Sequence, residues 1–175
     1  RRHAAEATAT PDVADSLSGE LPVDTTLWAP GRIEEYEASL GEEIAPPLAV
    51  LRIPSLQLEV AVLEGTSELV LNRGLGHITG TPLPGEDGNV GIAGHRDGYF
   101  RGLKDVGVGD VIELETLAGR SSYAVTELLI VDPPDVWVLD PTDAPSLTLV
   151  TCYPFYFVGS APKRFIVRAE RVDGP

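Results

Sequence analysis

An all-β barrel preceded by one short helix is the fold this sequence predicts, and three observations carry that reading. The 15 Pro and 18 Gly are scattered between short apolar runs rather than gathered in one tract, as expected of many strands joined by turns. Several runs alternate apolar and polar residues with the period of two that a half-buried strand requires. Strand and helix patterns do not alternate along the chain, which argues against the parallel α/β classes. About eight strands result, enough to close or nearly close a barrel.

Residues 1 to about 26 are mostly Ala, Thr, Asp, Glu, Ser and Pro, with too little apolar area to offset the entropy of ordering, and read as a flexible arm. In Pro30-Gly31-Arg32-Ile33-Glu34-Glu35-Tyr36-Glu37-Ala38-Ser39-Leu40-Gly41, the residues Ile33, Tyr36 and Leu40 recur at helical spacing and Gly41 supplies a stop. This predicts one short amphipathic helix, with acidic residues near its N-terminus suiting the dipole. Its stripe, helped by Trp28, needs a surface to dock on, namely the outside of the following domain. Residues 1–46 therefore form an acidic arm plus helix, acting as a tether or a lid, and 47–175 form the barrel.

Within the barrel, Leu48–Ile53 and Leu58–Leu63 flank Pro54-Ser55 and read as a hairpin, with Leu58, Val60 and Val62 on one face. Residues Ser67–Gly74 suit a helical turn, and Thr81–Asn89 is a turn-rich loop. Val90–Ala93 is a short apolar strand ending in Gly94-His95-Arg96-Asp97. Val111–Leu117 and Tyr123–Val131 surround an Ala118-Gly119-Arg120 turn. A loop from Asp132 to Pro145 is interrupted by Val136-Trp137-Val138-Leu139. Ser146–Thr151 and Arg164–Val172 complete the set, the latter with Phe165, Val167 and Ala169 on one face.

Hydrophobic content of 43% and a mean hydropathy of +0.04 are ordinary for a globular protein. The formal net charge of -14 argues against a nucleic-acid partner, which needs clustered basic surface, and against anionic lipid headgroups. No apolar run approaches the ~18 residues that span a bilayer. Because the chain starts at Arg1 rather than Met, we expect that it has been trimmed and that a membrane anchor belongs upstream.

Cys152 is the only cysteine, so it cannot form an internal disulfide and is either packing or chemistry. A thiol becomes a useful nucleophile when an acid-base group manages its proton, usually an imidazole. Of the three histidines, His3 sits in the arm and His77 precedes a loop, whereas His95 ends an apolar strand where a rigid scaffold can hold its ring at a groove. Arg164, twelve positions after the cysteine (152 to 164), begins the last strand, and its guanidinium could donate to a developing oxyanion or to substrate carbonyls. Taken singly, each has a plainer reading: a buried thiol, a structural histidine, a surface ion pair.

Family resemblance separates these readings. Thr148-Leu149-Val150-Thr151-Cys152 resembles the TLxTC signature of sortases, the cysteine transpeptidases of bacterial surfaces. Gly91-Ile92-Ala93-Gly94-His95-Arg96 resembles their histidine segment, and Arg164 follows the cysteine in family order. The resemblance runs from about Ala49 to Arg171 and includes Leu51-Arg52-Ile53-Pro54, Gly80-Thr81-Pro82 and Cys152-Tyr153-Pro154-Phe155, the last closest to class D or class E-like branches.

The resemblance implies an eight-stranded sortase-type barrel and a cell-surface, membrane-anchored enzyme that needs no cofactor. Cys152 would attack an LPxTG-type sorting signal to give a thioester. His95 would protonate the departing amine, and Arg164 would bind the oxyanion or fix peptide carbonyls. An amine acceptor, a cell-wall precursor or a pilin lysine, would then resolve the acyl-enzyme. Two alternatives remain: a cysteine peptidase acting mainly by hydrolysis, and a non-catalytic peptide-binding barrel with an unreactive thiol.

Other residues carry weaker claims. The Thr151 hydroxyl could touch the substrate or oxyanion, although Thr is also a good strand former. Asp97 could orient His95. His77 reads as structural. Asp132, Asp135, Asp140 and Asp143 could offer oxygens to Ca²⁺, but with four prolines between Pro133 and Pro145 a solvated loop is expected, and no metal site is predicted.

Overall fold

Period-two alternation and turn chemistry do produce eight strands in the computed structural model, which describes residues 21–156 and 159–172. They are β1 (Ala49–Ile53), β2 (Leu58–Glu64), β3 (Leu75–His77), β4 (Asn89–Ala93), β5 (Val111–Thr116), β6 (Gly119–Val131), β7 (Ser146–Tyr153) and β8 (Lys163–Arg171). Their order is β1-β2-β3-β4-β7-β8-β6-β5, with β5 pairing back to β1, so the barrel closes. Two α-helices accompany it, α1 (Pro30–Ser39) and α2 (Glu68–Arg73).

Both expected hairpins form. β1 and β2 pair antiparallel with Leu51 opposite Val60, turned by a 3-10 segment at Pro54–Leu56 and by Gln57 at φ 53. β5 and β6 pair with Glu115 opposite Arg120 and Thr116 opposite Gly119, a tighter turn than the sequence suggested. The polar stretch Arg120–Ser122 does not read as strand, but its ladder to β5 continues, and Arg120 Nη2 donates to the buried Glu115 Oε2 at 2.5 Å.

The eighth strand is β3. At three residues it is too short for alternation to show, and its partners, β2 in parallel and β4 in antiparallel, are distant or irregularly connected. The apolar run Val136–Leu139 is instead a 3-10 turn. It caps the outer face of β7, where the fully buried Asn89 donates to the carbonyls of Val138 and Asp140, both at 3.0 Å, and accepts from Thr148 Oγ1 at 2.6 Å. Along β7 the opposite face carries Leu147 and Leu149 into the barrel core with Leu51, Ile92 and Val167.

α1 starts at Pro30, which suits a first-turn position whose N–H has no helical partner. No acid falls in its first turn, since Glu34 and Glu35 lie beyond it. Its docking surface is the loop after β4: Trp28, 8% exposed, meets Tyr36 and Tyr99 edge to face at 5.6 and 4.6 Å. Arg73 at the end of α2 donates to the carbonyls of Ser39 and Glu42, both at 3.1 Å. Val23 packs against the core, so the described end of the arm is seated on the barrel. Residues 1–20 of the expected flexible arm lie outside the described residues. Among the described residues no helix is long and apolar enough to cross a membrane.

Candidate active site

The sheet register itself assembles the candidate residues. β4 runs parallel to β7 with Asn89 opposite Ser146 and Ala93 opposite Val150, a constant offset of 57. That register brings the segment following β4, which begins with Gly94 and His95, alongside the end of β7 that carries Cys152. The contact there is close: Gly94 N donates to Val150 O at 3.1 Å and Thr151 Oγ1 donates to Gly94 O at 2.7 Å. On the other side, β8 runs antiparallel to β7 with Arg164 directly opposite Cys152. At the level of the backbone segments, the histidine turn, the cysteine strand and the start of β8 therefore form one row, cysteine strand in the middle.

Cys152 is a free thiol in a half-buried residue, on the face of β7 opposite the core. β7 runs two residues further than its apolar pattern suggests, so the cysteine lies within the ladder rather than beyond it. Just past it, Tyr153, Phe155 and Phe165 pack at centroid distances of 5.3 to 6.1 Å, and the Tyr153–Pro154 peptide is cis.

Arg164 has no carboxylate within salt-bridge distance among the described residues. Its Nη1 donates to the carbonyls of Lys163 at 2.9 Å and Ala161 at 3.4 Å. In a chain of net charge -14, an unpaired arginine beside the only thiol is not the surface ion pair that composition favours.

His95 is half-buried, and its Nε2 is sealed from solvent with no hydrogen-bond partner. Burial first, and the Arg32 charge second, hold the imidazole below its ordinary value, against the opposing pull of Asp97 and Glu35. Both effects favour the neutral imidazole.

The other candidates sit apart from this row. Thr151 is 2% exposed, and its hydroxyl is engaged by Gly94, so it ties the cysteine strand to the histidine segment rather than facing a groove. Asp97 Oδ1 accepts from Arg32 Nε at 2.9 Å, which directs the carboxylate toward α1. His77, also 2% exposed, bonds Glu64 Oε2 at 2.8 Å through Nδ1 and Pro82 O at 2.8 Å through Nε2, a structural cross-tie. In the acidic loop, Asp132 pairs with Lys163 and Asp135 Oδ2 accepts from Asp132 N at 2.9 Å.

Sequence reasoning missed two arginines that join the histidine loop to the segment after the cysteine. Arg96 donates to Pro154 O at 3.3 Å and Gly159 O at 2.9 Å. Arg101 donates to Phe155 O at 3.3 Å and Leu27 O at 3.0 Å, with its guanidinium 4.5 Å from the Tyr156 ring centre. The available signal was two arginines close behind a candidate histidine in an acidic chain.

A closed antiparallel-rich barrel that brings together the segments bearing a thiol, an imidazole and a guanidinium has the layout of a cysteine-dependent acyl-transfer enzyme. The family model described as Sortase domain matches residues 51–172. The chain belongs to the sortase family, the cysteine transpeptidases of cell-wall sorting. It is 35% identical to Sortase D of Bacillus subtilis (strain 168) over 137 residues, covering 78% of this chain and 69% of that protein. It is 33% identical to Sortase A of Listeria monocytogenes over 142 residues, 79% and 60% of the two chains. Among solved structures it is similar to the Clostridium perfringens Sortase D5 transpeptidase, with a TM-score of 0.67, 31% identity and coverage of 81% and 89%. Sortases act at the cell surface on sorting-signal substrates and amine acceptors, and the class D character read from Tyr153-Pro154-Phe155 is consistent with these relatives.

Proposed function

We propose that Cys152, His95 and Arg164 are the catalytic residues of a transpeptidase that cleaves an LPxTG-type sorting signal and passes the acyl group to an amine. This reading is supported by Arg164 lying opposite Cys152 in the ladder and by the bonds that tie Gly94, next to His95, to Val150 and Thr151. His95 takes the Cys152 thiol proton, the thiolate attacks the scissile carbonyl carbon, and the electron pair moves to the oxygen, where Arg164 stabilises the oxyanion. As the oxyanion collapses the C–N bond breaks, His95 gives its proton to the leaving amine, and a thioester remains. An incoming amine attacks the thioester carbonyl and loses a proton to His95, and Cys152 leaves as thiolate. In the cell the acceptor is a cell-wall precursor or a pilin lysine, and the enzyme works outside the cytoplasm from a membrane anchor.

The test is product mass after incubation with an LPxTG peptide, with and without an amine acceptor. A peptide-acceptor adduct in the presence of amine, and loss of all cleavage in Cys152→Ala, are expected. Cleaved acid alone in both tubes would turn the reading to a peptidase. Cleavage surviving in Cys152→Ala would remove the nucleophile.

A further inference from the structure

A catalytic histidine is normally aimed by a hydrogen bond that its second ring nitrogen donates to a third group. Among the described residues the buried Nε2 of His95 meets no such partner. Its orientation must come from the backbone turn it begins, closed by Gly98 N and Phe100 N donating to His95 O at 3.2 and 3.1 Å, and from whatever holds that turn in place.

The N-terminal helix holds it. Arg32 Nε of α1 donates to Asp97 Oδ1 at 2.9 Å, and Ala29 N donates to Asp97 O at 3.1 Å, so Asp97 is fixed by side chain and main chain together. Arg32 is itself over-determined: its Nη1 donates to Glu35 Oε2 at 2.5 Å and to Asn72 Oδ1 in α2 at 3.1 Å, and its side chain is 16% exposed. Its aliphatic stem lies on Gly98, where an added Cβ would come 3.2 Å from Arg32 Cγ. One side chain thereby joins α1, α2 and the histidine turn.

We propose that Arg32 and Asp97 are positioning residues for His95, and that the helix preceding the barrel is a brace on the active site. This rests on the reading of His95 as the acid-base group. The brace sets geometry through the turn and charge through its own ions. The charged or titratable groups around His95 are Arg32 and Glu35 from α1, Arg96 and Asp97 from its own loop, and Cys152 and Arg164 across the row. Arg32 disfavours the imidazolium and Asp97 favours it.

The two halves of the bridge can therefore be distinguished. Arg32→Met removes the bond and its positive charge, Asp97→Asn removes the negative charge and leaves only an amide oxygen to accept, and in each variant the remaining partner stays near: Arg32 keeps Glu35 and Asn72, and Asp97 keeps Ala29 N. The measurements use the full chain: turnover of an LPxTG peptide, and an NMR titration of the histidine ring protons, with the His95 signal identified by its loss in His95→Ala. Both variants are expected to lose about ten-fold or more in kcat/KM, as a misplaced acid-base group does. The His95 midpoint should move up in Arg32→Met and down in Asp97→Asn. Arg32→Lys, which keeps the charge, should fall between parent and Arg32→Met in turnover, with the midpoint unmoved.

Midpoints that move the same way in both variants, or stay fixed, would overturn the proposal, as would turnover within about two-fold of the parent. If either variant unfolds, Arg32→Lys decides by turnover alone: a value within about two-fold of the parent would overturn the proposal. Turnover surviving in His95→Ala would instead sink the catalytic reading of His95 itself, a separate result from failure of the brace.

Discussion

Cys152 has two neighbours in its row, and they are held by different means. Arg164 is placed by the β7–β8 ladder, which runs unbroken from Ser146 opposite Glu170 to Tyr153 opposite Lys163. No single side-chain change removes that placement. His95 lies beyond the end of β4, in a turn fixed by Gly94, by the Thr151 hydroxyl and by the bridge from α1. The guanidinium side of the site is thus built of main chain and the imidazole side largely of side chains, so the imidazole side is the fragile half.

The most damaging way to test that asymmetry is Gly94→Ala. A Cβ there would sit 2.6 Å from Phe100 Cδ2 and 2.7 Å from Leu75 Cδ2, and both neighbours are wholly buried. Neither can swing into solvent, so the segment carrying His95 must shift, with an overpacking cost of about 1–3 kcal/mol. Peptide turnover should fall roughly 100-fold in the folded variant, the scale of an ångström misplacement, whereas the ladder opposite Arg164 should keep its amide hydrogen-exchange protection. Loss of protection in β8 as well would dissolve the distinction between the two sides.

Thr151→Val is next in size. It keeps the shape and strand preference of the residue but deletes the donor to Gly94 O. A buried carbonyl left unpaired costs about 1–3 kcal/mol, which a thermal melt would register. Turnover should fall about ten-fold through loosening of the histidine segment, less than in Gly94→Ala, because the Gly94 N to Val150 O bond remains. Turnover at the parent level would show that this tie is not needed to place His95.

The same asymmetry explains what was legible in the sequence. Strands long enough to alternate, β1, β2, β5 and β8, declare themselves, and so does the cysteine strand, because ladder position follows from residue count. β3 does not, since three residues carry no period and its pairing depends on segments far along the chain. His95, Cys152 and Arg164 could be singled out by residue type and order. The ties that aim them could not: Asn89 to the Val138 carbonyl, Arg101 to the carbonyls of Phe155 and Leu27, and Arg32 to Asp97 span 49 to 74 positions. A charged residue in an exposed-looking helix gives no sign of such a partner. For Asp97, proximity in sequence to His95 suggested a direct orienting bond, while α1, 65 positions away, takes the carboxylate.

The smallest effect concerns pH. Burial and the Arg32 charge keep the folded-state midpoint of His95 low, whereas an unfolded histidine titrates near ~6.5. Between the two the unfolded chain binds more protons than the folded one, so this contribution to stability is complete above ~6.5 and is lost as pH falls through the folded midpoint. The melting temperature of the parent should therefore drop between about pH 7 and 5 more steeply than that of His95→Gln, which cannot titrate. Subtracting the two curves removes the carboxylates common to both. Arg164→Gln should show the parent's slope in the same window, because a guanidinium does not titrate there. A His95→Gln slope as steep as the parent's would mean that the imidazole is not under the electrostatic control of its turn and of α1, and that the two sides of Cys152 differ in geometry alone.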